Sequence, residues 1–162
     1  DTSPSNKIGI PVSKKDATVW TNINYTNAKA SAENMISNEY VQTGLLTGKA
    51  WDTVCHWIKS DDELKDSRTY GNYANSESPA NVSWYRTKQV AGYSDKWMVK
   101  NIYDLAGNVW EWTLEYSNYS YGPCVIRAGS GIDSDSEPPT YRMFDYTTNK
   151  YGLLGFRVSL FK

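Results

Sequence analysis

The segment Asn101–Thr113, with the sequence NIYDLAGNVWEWT, constrains the fold of this chain more than any other stretch. It contains a glycine in a short turn, followed by a run in which tryptophans alternate with other residues. Trp110 and Trp112 lie two positions apart, so in a β-strand their side chains point to one face. Glu111 then points to the opposite face. The segment therefore predicts a turn that leads into a strand with a tryptophan-covered core face.

Length, composition and charge indicate one globular domain. The chain has 162 residues, of which 40% are hydrophobic and 22% are charged, and these values are typical of a folded protein. Its 17 Lys+Arg and 18 Asp+Glu residues give a net charge of -1, which argues against nucleic-acid binding by bulk electrostatics. No apolar run approaches the roughly 20 residues of a membrane helix. We predict a single domain over residues 1–162, with no nucleic-acid partner and no membrane insertion.

The aromatic, histidine and cysteine counts restrict the chemistry. The sequence has 7 Trp and 13 Tyr but only 3 Phe, and rings with a polar group are typical of recognition surfaces. His56 is the sole histidine, which excludes a histidine-rich metal site. Cys55 and Cys124 could form one disulfide or remain free thiols, and their spacing does not decide between the two. The first residue, Asp1, is typical of a mature or excised fragment.

Short strands and a helix are predicted in the first 40 residues. Apolar runs predict strands at Ile8–Val12, an edge strand because Pro11 lacks a ladder donor, and at Thr18–Trp20. Thr26 is the predicted N-cap of a helix. Its apolar stripe would consist of Ala28, Ala32, Met35 and Ile36.

A second helix is predicted to start at Thr47, which suits an N-cap. The apolar residues that follow at helical spacing are Trp51, Val54, Cys55 and Ile58. His56 lies on a different helix face from Cys55, so the two are a poor nucleophile–base pair. From Ser60 to Lys100 we predict long polar loops, anchored by Trp84-Tyr85 and by Trp97-Met98-Val99.

Three motifs in order carry a family resemblance. Asn101–Thr113 closely resembles the signature of the formylglycine-generating enzyme (sulfatase-modifying factor) family, whose fold is a variant of the C-type lectin fold. Thr47–Trp51 resembles that family's helix opening. Val125–Ser130 and Leu154–Arg157 resemble its Arg-Gly-Gly-Ser element and its closing Gly-Phe-Arg. The resemblance implies an α+β domain of C-type lectin-like fold, with two helices, small twisted antiparallel sheets and long loops.

Within that fold we expect particular positions for the tryptophan and arginine residues. The two-tryptophan strand and the Gly-Phe-Arg strand should lie in the centre of the sheet. The residues assigned to the core are Trp110, Trp112 and Phe156. Those assigned to structural hydrogen bonding are Arg127, Arg142 and Arg157.

The residues that would make the domain an oxidase are missing. The resemblance implies that two cysteines after the Arg-Gly-Gly-Ser element would bind copper, since thiolates suit Cu(I). Asp133 and Pro138 occupy those positions here, and neither replaces a thiolate. Cys55 and Cys124 lie elsewhere in the sequence. We therefore expect a domain without enzymatic activity, and a copper-dependent oxidase is kept only as an alternative.

The resemblance also implies a calcium site, and here the matching residues are present. In the family, the turn before the two-tryptophan strand holds structural Ca²⁺. The matching ligands would be the Asp104 side chain and the backbone carbonyls of Leu105, Gly107 and Val109, a set that suits a hard cation. The alternative is an Asp-initiated turn in which Asp104 bonds local amides. No other cofactor is expected.

The stretch between Arg127 and Leu154 scatters aromatic residues among Ser, Asp and Asn, which does not form a core pattern. It resembles the variable proteins of diversity-generating retroelements of phages and bacteria. In these proteins, an error-prone reverse transcriptase rewrites a C-terminal ligand-binding face. The residue types are those of adaptable binding surfaces. The predicted ligand-binding residues are Gly131, Ile132, Asp133, Met143, Phe144, Asp145, Tyr146, Asn149, Tyr151 and Leu153.

The function predicted from these features is binding of a macromolecular ligand, in a receptor-binding or adhesion role. The partner would be a protein or glycan on a cell or phage surface, and the resemblance favours the bacterial cell surface or the phage particle as the location. The alternative binding function is that of a glycan-binding, lectin-like adhesin of fixed sequence.

Overall fold

The computed structural model describes residues 6–60, 64, 66–76, 88–134 and 136–162, and shows an α+β structure in them. The predicted anchor Trp84-Tyr85 lies outside this part of the chain. The helices are α1 (Tyr25–Glu33) and α2 (Gly48–Ile58), with 3₁₀ turns at Ser67–Thr69 and Asp95–Trp97. The strands are β1 (Gln42–Gly44), β2 (Met98–Val99), β3 (Ile102–Tyr103), β4 (Trp110–Tyr116), β5 (Cys124–Arg127), β6 (Met143–Asp145), β7 (Leu154–Phe156) and β8 (Ser159–Phe161).

The largest sheet has the strand order β6-β5-β4-β7. Strand β4 lies between β5 and β7, so the two-tryptophan strand is internal as predicted. The prediction for the Gly-Phe-Arg strand was wrong, because β7 is the last strand of the sheet and pairs with β4 in parallel. On the outer side of β7, Thr21 forms an isolated antiparallel bridge with Gly155. A Cβ at Gly155 would lie 2.5 Å from the Trp20 carbonyl oxygen, so this close approach requires glycine.

The other pairings are short and antiparallel. Strand β4 pairs with β5, and β5 pairs with β6. Two separate two-stranded sheets join β1 to β8 and β2 to β3. The four-stranded sheet is therefore mixed, and among the strands of the described residues the expectation of antiparallel pairing fails at β7.

Helix α1 differs from the prediction at both ends. Its N-cap is Asn24 rather than Thr26, because the Asn24 side chain accepts a hydrogen bond from an amide of the first turn. It ends before Met35 and Ile36, so these two do not extend its buried stripe. Ile36 instead exchanges hydrogen bonds with Thr43 in the middle of β1.

Helix α2 confirms the prediction. The Thr47 hydroxyl caps it by accepting from the Ala50 amide at 3.1 Å. Trp51 and Cys55 are buried, whereas His56 is exposed. None of the helices in the described part of the chain is long and apolar enough to cross a membrane.

The two predicted N-terminal strands were wrong. Residues 8–12 are not paired in a sheet, because the Gly9 amide donates to the side chain of Ser31 at 3.2 Å instead of to a neighbouring strand. Thr18–Trp20 also lies outside any strand. Trp20 is buried against the core, so its apolar character reflects packing rather than strand formation.

The two helices belong to different apolar clusters. One cluster joins α1 to Trp110 and Trp112, with Phe156 partly buried against it. The other joins α2 to the turn before β4. Glu111 points away from the two tryptophans and accepts two hydrogen bonds from Arg157, at 2.5 and 2.6 Å. The predicted alternation along β4, the core roles and the structural role of Arg157 are confirmed.

Candidate ligand-binding surface

The predicted surface is organised around β6, the outer strand of the largest sheet. Asp145, at the end of β6, is buried. Its carboxylate accepts hydrogen bonds from the Tyr146 amide at 2.8 Å, from the Asn149 side chain, and from the Tyr151 hydroxyl at 3.3 Å. These bonds fold the segment after β6 into a compact turn. The buried Asp145 side chain therefore fixes the conformation of the backbone that carries the exposed residues.

Tyr151 links this turn to a second stretch of predicted residues. Burial raises the pKa of its phenol, and the nearby negative charges of Asp145 and Asp133 add to that effect. Asp133 in turn accepts hydrogen bonds from the amide and hydroxyl of Ser130, at 2.9 and 2.6 Å. The Gly131 amide donates to a backbone carbonyl just before β4. The structure thus brings the turn at 130–133 beside the turn that follows β6.

The ten predicted residues differ in accessibility. Five are exposed: Ile132, Met143, Tyr146, Asn149 and Tyr151. Three are half-buried: Asp133, Phe144 and Leu153. Gly131 and Asp145 are buried, so a ligand would reach neighbouring side chains rather than these two.

The pleat of β6 divides the predicted residues between two sides of the sheet. Met143 and Asp145 point to the α1 side, and Phe144 points to the α2 side, because successive strand residues alternate. There Phe144 stacks on Tyr119, with ring centroids 4.7 Å apart. Tyr119 and its neighbour Tyr121 lie in residues 117–123 between β4 and β5, which we call the tyrosine loop. Neither tyrosine is among the predicted residues, although two tyrosines within five residues of a strand end are a detectable signal.

A network of ion pairs supports the α2 side of the surface. Arg127 is fully buried and donates to Asp52 and to the carbonyls of residues 140 and 141, at 2.6 and 3.2 Å. Arg142 donates to the same Asp52 and, at 2.8 Å, to Glu115. Burial lowers the pKa of Arg127, and the positive charge of Arg142 lowers it further. The predicted structural roles of both arginines are confirmed, and together they fix the segment that leads into β6.

The turn before β4 has donor chemistry that suits a hard cation. Asp104 is buried and adopts a positive φ of 53°. One carboxylate oxygen accepts from the Gly92 amide at 2.8 Å, and the other has no hydrogen-bond partner among the described residues. An unpartnered carboxylate oxygen is a ligand that calcium prefers. Burial raises the pKa of Asp104, because the charged form is poorly solvated there.

Backbone atoms would have to supply most of the predicted calcium ligands. Within the described ranges, no group of three or more His, Cys, Asp and Glu side chains could hold a metal. The Gly107 carbonyl already accepts from the Val109 amide at 2.9 Å. The alternative prediction of a purely local turn was wrong, because Asp104 bonds Gly92, which is distant in sequence. Calcium binding at this turn stays a prediction.

A cleft of about 530 Å³ lies apart from the predicted ligand-binding residues. Its walls include residues 11–15 and 17–20, the turn at 101–104 and residues 156–158 at and after the end of β7. Asp104 and Val109 line it, but none of the ten predicted residues does. The cleft and the β6 surface are therefore separate features.

Both cysteines are buried free thiols. Cys55 belongs to the α2 cluster and Cys124 to the α1 cluster. Burial raises the pKa of Cys55 to about 11 and also raises that of Cys124. Thiols in these environments are weakly nucleophilic and are poor metal ligands, because the thiolate is the reactive form.

Comparison with solved structures shows the fold class. No protein-family model and no curated protein matches the sequence. The structure is similar to Treponema denticola variable protein 1, with a TM-score of 0.53 and 20% sequence identity over 84% of this chain. The match covers 54% of that protein, so the chain spans about half of its length. The domain thus has the α+β architecture of a variable protein, consistent with the C-type lectin-like expectation, and the formylglycine-generating type is not shown.

Proposed function

We propose that this domain is a non-catalytic module that binds a macromolecular ligand through the surface around β6, with residues that a retroelement diversifies. The observation that carries the proposal is the arrangement at β6. Five predicted residues are exposed there, while Asp145, Arg127 and Arg142 hold the backbone beneath them through side-chain bonds. The exposed side chains can therefore be substituted, whereas the residues whose side-chain bonds hold the backbone must be kept.

The fold similarity to variable protein 1 supports this function. The exposed side chains include tyrosines and an asparagine, which combine rigid rings with adaptable hydrogen bonding. We infer a receptor-binding or adhesion role, in which the partner is a protein on a cell or phage surface.

The test is deep sequencing of the 3′ end of the gene across a population that carries it. We expect substitutions to concentrate at the codons for Ile132, Met143, Tyr146, Asn149 and Tyr151. The codons for 101–113 should stay fixed, as should the codon for Arg127. An invariant 3′ end would refute diversification, and screening against glycans and surface proteins would then identify a ligand of fixed specificity.

The proposed absence of enzymatic activity has its own test. Support comes from the positions of Cys55 and Cys124 in different core clusters, where they cannot form the copper pair of an oxidase. We expect no stoichiometric Cu(I) binding and no thiol-oxidase activity in the purified domain. Detection of both would refute the proposal.

A further inference from the structure

The tyrosine loop continues the surface beyond the predicted residues. The Tyr119 ring contacts two other rings in tilted arrangements, that of Phe144 at 4.7 Å and that of Tyr121 at 5.6 Å between ring centroids. Tyr119 is 52% exposed and Tyr121 is 71% exposed. The three side chains form a row of rings that runs from β6 out to the loop. We call Phe144, Tyr119 and Tyr121 the aromatic row.

The loop that carries the aromatic row is held in place by its backbone. The Ser117 amide donates to the Pro123 carbonyl at 2.8 Å, and the Gly122 amide donates to the Tyr119 carbonyl at 3.3 Å. Gly122 has a φ of 145°, and a Cβ there would lie 2.5 Å from the Asp145 carbonyl carbon. The loop therefore packs directly on the backbone of β6. These contacts fix the backbone from which the rings of Tyr119 and Tyr121 extend.

The aromatic row differs in its charge environment from three aromatic side chains that have a lysine above the ring. Lysine ammonium groups lie over the rings of Tyr103, Tyr70 and Trp57, at 5.5, 4.7 and 4.7 Å. Trp57 receives this contact although it is 56% exposed. In the described part of the chain, no cation lies over a ring of the aromatic row. The faces of these rings carry negative electrostatic potential and attract cations.

The nearby arginines do not supply that cation. Arg142 precedes Phe144 by two residues and points to the same side of β6. Its guanidinium is occupied by Glu115 and Asp52. Arg127 is fully buried beneath the same carboxylates. Both guanidinium groups are therefore engaged by carboxylates of this chain, and a cation over the rings of the aromatic row would have to come from a partner.

We propose that the aromatic row is a fixed half of the binding surface and that it selects protein partners that present arginine or lysine side chains. The proposal rests on the proposed function, because it assigns part of the specificity of that same surface. The diversified positions would adapt to the shape of each partner, while Tyr119 and Tyr121 would supply a constant preference for cations. Each cation over a ring should tighten binding by roughly two- to thirty-fold.

The experiment uses three display libraries of the full chain, of which the first two test the tyrosine loop and the third is a control. Gly131 and Asp145, which are buried, and Phe144 keep their native identity in all three. The other seven predicted positions are randomised: Ile132, Asp133, Met143, Tyr146, Asn149, Tyr151 and Leu153. One library keeps the native tyrosine loop, and the other carries Tyr119→Ser and Tyr121→Ser. Each is selected against egg-white lysozyme, a basic protein, and against milk α-lactalbumin, an acidic protein of the same fold. A third library with Tyr40→Ser, at a 68% exposed tyrosine outside the site, is the matched control.

We expect the native-loop and Tyr40→Ser libraries to give about tenfold more lysozyme binders than the serine-loop library, since two ring contacts are lost. No such difference should appear against α-lactalbumin. Equal recovery of lysozyme binders from all libraries would refute a role of the aromatic row in binding, but it would not contradict the proposed function. An equal deficit on both probes would overturn the cation preference. Failure of every library on both probes would overturn the proposed function and this inference together.

Folding of the serine-loop variant is checked separately. Its melting temperature should stay within about 4 °C of the wild type, because both side chains are exposed and a change of this size corresponds to about 1 kcal/mol. If it falls further, the selection is repeated with Tyr121→Ser alone, since Tyr121 is the outermost ring of the row. The same outcomes then apply to that single substitution.

Discussion

Replacement of Arg127 by methionine tests how the segment before β6 is held. The buried Arg127 guanidinium donates one hydrogen bond to Asp52 and two to the carbonyls of residues 140 and 141. Hydrogen bonds to a charged group contribute about 1.5–3 kcal/mol each, so the three together contribute roughly 4.5–9 kcal/mol. Removal of the guanidinium also relieves its desolvation penalty, which offsets several kcal/mol. We expect the free energy of unfolding to fall by about 3 kcal/mol.

Arg142→Met is the matched control for this substitution. Arg142 contacts the same Asp52, and also Glu115, but its side chain is 39% exposed. Water screens such pairs, so the loss should be less than about 1 kcal/mol. Urea denaturation followed by tryptophan fluorescence measures both values. A loss below about 1 kcal/mol for Arg127→Met, or equal losses for the two variants, would refute a stabilising role for the buried network.

Three further experiments test the surface, the turn before β4 and the thiols. Phe144→Ala and Tyr146→Ala should each lower the unfolding free energy by less than about 1.5 kcal/mol, whereas about 3 kcal/mol or more in urea denaturation would mark a core residue. Because burial raises the pKa of Asp104, its ionisation destabilises the fold as pH rises. In EGTA, Asp104→Asn should therefore melt above the wild type at neutral pH, with a difference that disappears in acid. Calcium chloride should raise the melting temperature of the wild type alone, and an equal response in both proteins contradicts the calcium site. Cys55 and Cys124 should react with a thiol reagent only after unfolding, and rapid labelling of the native protein contradicts their burial.

The parts of the fold that local sequence determines were predictable. Thr47 followed by apolar residues at helical spacing gave α2, and the alternation of Trp110 and Trp112 gave the core face of β4. The position of β7 was not predictable from the residues themselves. A three-residue strand carries no pattern that shows whether it lies at the edge or in the centre of a sheet, or whether it runs parallel or antiparallel to its neighbour. Its position and direction depend on where the chain returns after β6.

The candidate site shows the same limit. The scatter of aromatic residues between Arg127 and Leu154 was enough to predict a surface, since it lacks a core period. It could not show that Asp145 would be buried as a hydrogen-bond acceptor. The stacking of Tyr119 on Phe144 was also hidden, because it joins residues 25 positions apart through the pairing of β5 with β6. Long-range contacts of this kind follow from the assembled sheet rather than from local pattern.

The attachment of β5 and β7 to opposite sides of β4 has a consequence for insertions and deletions. Residues 128–153 run from β5 to β7, so both ends of this segment lie beside the same central strand, and within the segment β6 pairs with β5. With fixed ends, a doubling of loop length costs only about 0.6 kcal/mol in closure entropy. The segment should therefore accept added or removed residues at positions outside β6 and outside the turn that Asp145 holds. The domain is then a scaffold for grafted peptides of different lengths as well as for different side chains.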